Sequence, residues 1–76
     1  MCHSENYLKG LVRLAERTQG FLEDGYSIMF QHKDQSLCLV KLRHPNGNII
    51  TLSFDSDNGI ISQRTNGRET HLETMR

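Results

Sequence analysis

The chain has 76 residues, nine acidic and nine basic, with formal net charge zero and 36% hydrophobic residues. That length suits one domain and buries only about 60–65% of the surface the unfolded chain exposes, so reinforcement from a disulfide, a metal or a second chain is expected. The charge balance supplies no bulk attraction to nucleic acid or anionic lipid, and no apolar run nears the roughly 20 residues that span a bilayer.

Two cysteines, Cys2 and Cys38, allow at most one internal bridge. One stands at a terminus and the other in an expected core strand, and the N-terminus lacks the apolar centre of a signal peptide. This pattern fits a reducing cytoplasm rather than a secreted disulfide scaffold. Self-association is then the expected support.

The first element is a helix over residues 4–23. Ser4 suits its N-cap, and Glu5 suits the first turn, where the helix dipole favours a carboxylate. Leu8, Leu11, Val12, Ala15 and Leu22 recur at helical spacing, and Tyr7, Leu14 and Phe21 widen the apolar stripe. Lys9, Arg13 and Arg17 follow one another on the expected outer side. Gly10 and Gly20 each cost the helix up to about 1 kcal/mol relative to alanine, and Gly25 suits a left-handed terminator.

Three strands follow, over residues 26–33, 37–44 and 49–54. The segment His44-Pro45-Asn46-Gly47-Asn48 is a hairpin loop: Pro45 presets φ for a type I turn and Gly47 accepts the left-handed closing position. This turn predicts Leu42 opposite Ile50, Val40 opposite Leu52 and Cys38 opposite Phe54, all on one face. A three-residue loop, Asp34-Gln35-Ser36, predicts Ile28 opposite Leu42, Phe30 opposite Val40 and His32 opposite Cys38. Even-numbered side chains from Ile28 to Phe54 then turn toward the helix.

After the turn cluster Asp55-Ser56-Asp57-Asn58-Gly59 comes a more polar fourth strand, residues 60–65. Asn66-Gly67 is a type I′ signal. It leaves residues 66–76 as either a short fifth strand, with Arg64 opposite Glu69 and Ile61 opposite Leu72, or a frayed tail. The fold class is α+β: one N-terminal helix on one face of an antiparallel meander of four or five strands.

One helix covers one face, so the other meets water or a partner. Met29, Leu39, Lys41, Arg43, Ile49, Thr51 and Ile61 are the expected interaction surface. They suit a homodimer or another protein bound through the sheet face or its edge. The alternative is a small nucleic-acid-associated regulator using Lys33, Lys41 and Arg43, although the aromatic platforms that stack on bases are assigned to the core.

Catalysis has one candidate pair, Cys38 and His32, an imidazole placed to lower a thiol pKa. The pair lacks an obvious third group to orient the histidine, though Asp34 is near in sequence, and a buried thiol is ordinarily inert. The four histidines, His3, His32, His44 and His71, are dispersed, without zinc spacing. His3 in third position resembles a copper chelate only while Met1 is retained. Residues 55–59 lack the twelfth-position carboxylate of a calcium loop. The expectation is a cytoplasmic, non-enzymatic binding domain with no cofactor, no metal and no membrane partner.

Overall fold

The structure, a computed structural model, describes residues 2–74, with side chains from Tyr7 onward. Helix α1 (Cys2–Glu23) precedes strands β1 (Ser27–Lys33), β2 (Leu37–Arg43), β3 (Ile49–Asp55), β4 (Ile60–Thr65) and β5 (Arg68–Thr74). The strands form one antiparallel sheet in chain order, as the α+β reading expects, and the fifth strand is formed. The helix starts two residues ahead of the expected position. The side chains of Cys2, His3, Ser4 and Glu5, and the readings that rest on them, lie outside the described residues.

α1 ends as Gly25 predicts. Gly25 has φ 101°, its N–H donates to Leu22 O at 3.2 Å, and the N–H of Tyr26 donates to Phe21 O at 3.1 Å. This is a Schellman motif, and its accompanying apolar contact is the edge-on meeting of Phe21 and Tyr26, 5.3 Å between ring centroids.

The second hairpin has the expected register throughout: Leu42 opposes Ile50, Val40 opposes Leu52 and Cys38 opposes Phe54. The N–H of His44 donates to Asn48 O and that of Gly47 to His44 O, each at 2.9 Å, with φ 99° at Gly47.

The first hairpin departs from expectation by one residue. The Asp34 carboxylate accepts the N–H groups of Ser36 and Leu37, both at 2.8 Å, and the Ser36 hydroxyl at 3.1 Å. It folds the turn onto itself, and the N–H of Asp34 donates to Leu37 O. The loop is therefore two residues long rather than three, and Lys33, not His32, opposes Cys38. A bulge at Met29 absorbs the extra residue and restores Ile28 opposite Leu42. Between turn and bulge every side chain exchanges faces. Phe30 opposes Lys41 and His32 opposes Leu39, away from the helix, while Gln31 and Lys33 turn toward it.

A second parity change follows β3. The β3–β4 connection brings Asp55 opposite Ile60 and Phe54 opposite Ile61. Ile61 is thus fully buried beneath the helix, which removes it from the expected interaction surface. β5 carries a bulge of its own, so that Glu73 rather than Leu72 opposes Ile61, while Arg64 opposes Glu69 as expected.

Leu14, Cys38, Leu42, Ile50, Leu52, Phe54 and Ile61 form the core. α1 lies chiefly over β3. It approaches so closely that a Cβ at Gly10 would overlap the Phe54 ring. On the β5 side, Arg17 donates to Glu73 Oε2 from Nη2 at 2.8 Å and from Nε at 3.0 Å, and Arg13 Nε lies 3.2 Å from Oε1. Arg13 and Arg17 thus clasp β5 rather than lining a free outer face.

Candidate functional site

Five strands about 4.8 Å apart span roughly 19 Å between the edge strands, while a helix with its side chains is about 10–12 Å wide. One helix placed over β3 also covers β2, whose Cys38 and Leu42 are buried, and leaves β1 exposed at the margin. There the structure has an open cavity of about 250 Å³, lined by Leu11, Leu14, Ala15, Thr18, Gln19 and Leu22 of α1 and by Ile28, Gln31, His32, Lys33, Cys38, Leu39 and Val40 of the sheet. Tyr7 stands at one end, its hydroxyl donating to Asp34 O at 3.3 Å. Burial pushes the Tyr7 phenol pKa up, and the neighbouring Cys38 thiol adds to the effect.

The helix beside this groove is apolar over more of its circumference than the sheet covers. At 3.6 residues per turn, the run from Leu14 through Leu11, Leu22, Ala15, Leu8 and Gln19 to Val12 sweeps roughly 160°. No charged side chain falls within it; Lys9, Arg13, Glu16 and Arg17 lie on the other side. Leu8 is 60% exposed and Val12 58%, although their spacing predicts core positions. Ala15 is exposed as well. The sequence signal was present as surplus breadth in the apolar stripe, legible only once the width of the sheet is set against it.

β1 is an edge strand, exposed along its whole length. It shows Ile28 at 41%, Met29 at 48% and Phe30 at 55% exposure.

The sheet face away from α1 holds most of the surface expected from sequence, in rows set by the pairing. One row runs Phe30, Lys41, Thr51, Arg64, Glu69 across the five strands. A second runs His32, Leu39, Ser53, Ser62, His71, with the hydroxyls of Ser53 and Ser62 2.9 Å apart. Arg43 opposes Ile49 at the rim. Leu39, Lys41 and Thr51 are half-buried, and Arg43 and Ile49 are exposed. Met29 sits in the bulge. Lys33 does not join Lys41 and Arg43, because the shortened turn places it on the helix side. Phe30 is the residue sequence reasoning missed on this face.

Cys38 and His32 are not brought together. Cys38 is buried toward the helix, while His32 opposes Leu39 on the other face and bonds Asp34 Oδ2 at 2.8 Å. Among the described residues no three His, Cys, Asp or Glu side chains are grouped to hold a metal ion. Among them, too, no helix is long and apolar enough to cross a membrane. The residues 55–59 form a turn built on Asp55, whose carboxylate accepts from Asp57 N at 3.0 Å and from Asn58 Nδ2 at 2.8 Å.

No family model, curated protein or solved structure matches this chain.

Proposed function

We propose that this chain is a small, non-enzymatic interaction domain that holds another polypeptide in the groove between α1 and β1. The observation carrying this reading is the open groove at the β1 margin, floored by Ile28 and Val40 beside an uncharged helical arc. Apolar surface of that kind, gathered in one place rather than scattered, is what contact sites expose. The free edge of β1 adjoins the groove, but the bulge at Met29 interrupts the ladder a guest strand would need. Side-chain docking in the groove is therefore favoured over strand addition. The parting of Cys38 from His32 supports a binding rather than a catalytic role. A buried, unbridged thiol suits the cytoplasm.

The test is a photo-crosslinking side chain placed at Gln19, an exposed residue that lines the groove, with Asn58 as control, in the native host. The expected result is polypeptide adducts, identified by mass, at Gln19 and not at Asn58. Equal labelling at the two positions, or none at either, would remove the proposal.

One observation favours a second reading. Phe30 supplies the far face with an exposed ring beside Lys41 and near Arg43, the pairing of stacking surface and cation that single-stranded nucleic acid uses. Fluorescence anisotropy with a random single-stranded oligonucleotide at low salt tests it. No shift for the wild type, or a shift that Phe30→Ser leaves intact, ends it.

A further inference from the structure

We infer that Asn66 is a site of spontaneous backbone modification, at which the side-chain amide is lost and the β4–β5 turn becomes an isoaspartyl linkage. The chain has three Asn-Gly pairs, at residues 46–47, 58–59 and 66–67. The fold treats them differently.

An Asn-Gly pair can rearrange with water as its only co-reactant. The glycine N–H gives its proton to hydroxide, and the nitrogen attacks the asparagine Cγ to close a cyclic imide. The Cγ–Nδ2 bond breaks, and ammonia leaves after taking a proton from water. Water then adds to one imide carbonyl or the other. One opening gives aspartate. The other gives isoaspartate, whose main chain runs through Cβ and Cγ and so gains a methylene. Glycine favours the attack, because it has no Cβ to hinder its nitrogen and the peptide plane before it turns easily.

Two of the pairs are held against this. At the first, the N–H of Gly47 donates to His44 O and that of Asn48 to Asn46 Oδ1, each at 2.9 Å. The attacking nitrogen and the group it must reach are both tied. At the second, Asn58 Nδ2 donates to Asp55 Oδ2 at 2.8 Å, and its backbone N–H to Oδ1 at 3.4 Å. Gly59, which would supply the nitrogen, is buried.

The third pair has no such restraint. Asn66 and Gly67 are exposed, with φ 54° and 80°, the left-handed pair that a type I′ turn requires. The ladder resumes at Thr65 opposite Arg68, outside the peptide that must turn. Among the described residues, neither the Gly67 N–H nor the Asn66 side chain has a hydrogen-bond partner. At roughly fivefold for each bond that must first be broken, Asn46 should react roughly thirtyfold more slowly than Asn66.

The product matters because a two-residue loop fits its ladder only at that length. An added methylene at residue 66 pushes Arg68 out of line with Thr65. It thereby loosens β5, the strand that Arg13 and Arg17 hold through Glu73.

The test ages the full chain for weeks at mildly alkaline pH, in buffer and in urea concentrated enough to unfold it. Peptide mass mapping, with fragmentation that separates isoaspartate from aspartate, then follows each site. In buffer, conversion at Asn66 should outrun both other sites, by roughly thirtyfold over Asn46. In urea the three should approach one rate. Equal rates in buffer, or a lead at Asn46 or Asn58, overturn the inference. So does an undiminished lead in urea, which would trace it to neighbouring residues rather than to the fold. Backbone amides of β5 should exchange faster in the purified isoaspartyl form than in Asn66→Asp, which carries the new charge alone. Equal exchange in the two would remove the effect on the hairpin.

Discussion

The backbone of Gly10 rests on the ring of Phe54, with no space between them for a side chain. The glycine that weakens α1 as an isolated helix is what lets it lie close over β3. Gly10→Ala should therefore destabilise the fold by about 1–3 kcal/mol through overpacking, despite alanine's better helix propensity. Gly20 has open space around its Cβ position, so Gly20→Ala should stabilise by about 0.4–1 kcal/mol. Urea denaturation of the two variants checks both signs, and an equal effect at the two sites would contradict the close approach.

The bulge at Met29 makes an unusual forecast for an aromatic residue in a central-looking apolar run. Phe30→Ser should change stability by less than about 0.5 kcal/mol, because the ring already stands in solvent. Leu52→Ala, two strands away and fully buried, should cost about 2–5 kcal/mol. If Phe30→Ser proved as damaging as Leu52→Ala, the unbulged register would be the right one.

Asp34 makes the first hairpin sensitive to acid. Its carboxyl is held well below the usual carboxylate range, first by His32 and then by the N–H groups of Ser36 and Leu37. A lowered folded-state pKa gives a contribution that is complete above the unfolded value, about 3.9. It is lost as pH falls from there toward the folded-state value. The stability gap between the wild type and Asp34→Asn should narrow as pH falls from 5 toward 2, read as the difference in urea midpoints. A gap independent of pH would show that the charged carboxylate contributes nothing to the turn.

Glu73 joins α1 to β5 through two arginines, in a half-buried setting. Glu73→Gln keeps the shape and removes the charge, and should cost about 1 kcal/mol. The loss should shrink in molar salt, where the wild-type attraction is itself screened. Thermal melts at low and high salt check both parts.

Most of the architecture was legible because turn chemistry and strand alternation agree. His44 to Asn48 dictated the register of β2 and β3, and Gly25 the end of α1. What escaped reading was parity. The Asp34 carboxylate shortens its own loop by one residue, and only the acceptor geometry shows it. Ile61 faces inward because the four-residue connection over residues 56–59 is even in length and reverses the alternation. The groove escaped for a different reason. Leu8 and Val12 obey the helical period perfectly well, and periodicity carries no information about how wide a sheet lies underneath. Phe30 was lost to the same one-residue shift that moved Lys33 across the sheet.

The Met29 bulge has a consequence for how this lineage can change. Removing that one residue would leave both faces of β1 as they are and merely straighten the strand into an unbroken ladder. Such a straight margin is what allows sheets to join end to end into fibres, and irregular margins guard against it. A single-codon deletion there would leave the packed interior untouched while opening one margin to a partner strand, with the bulge in β5 left to guard the other.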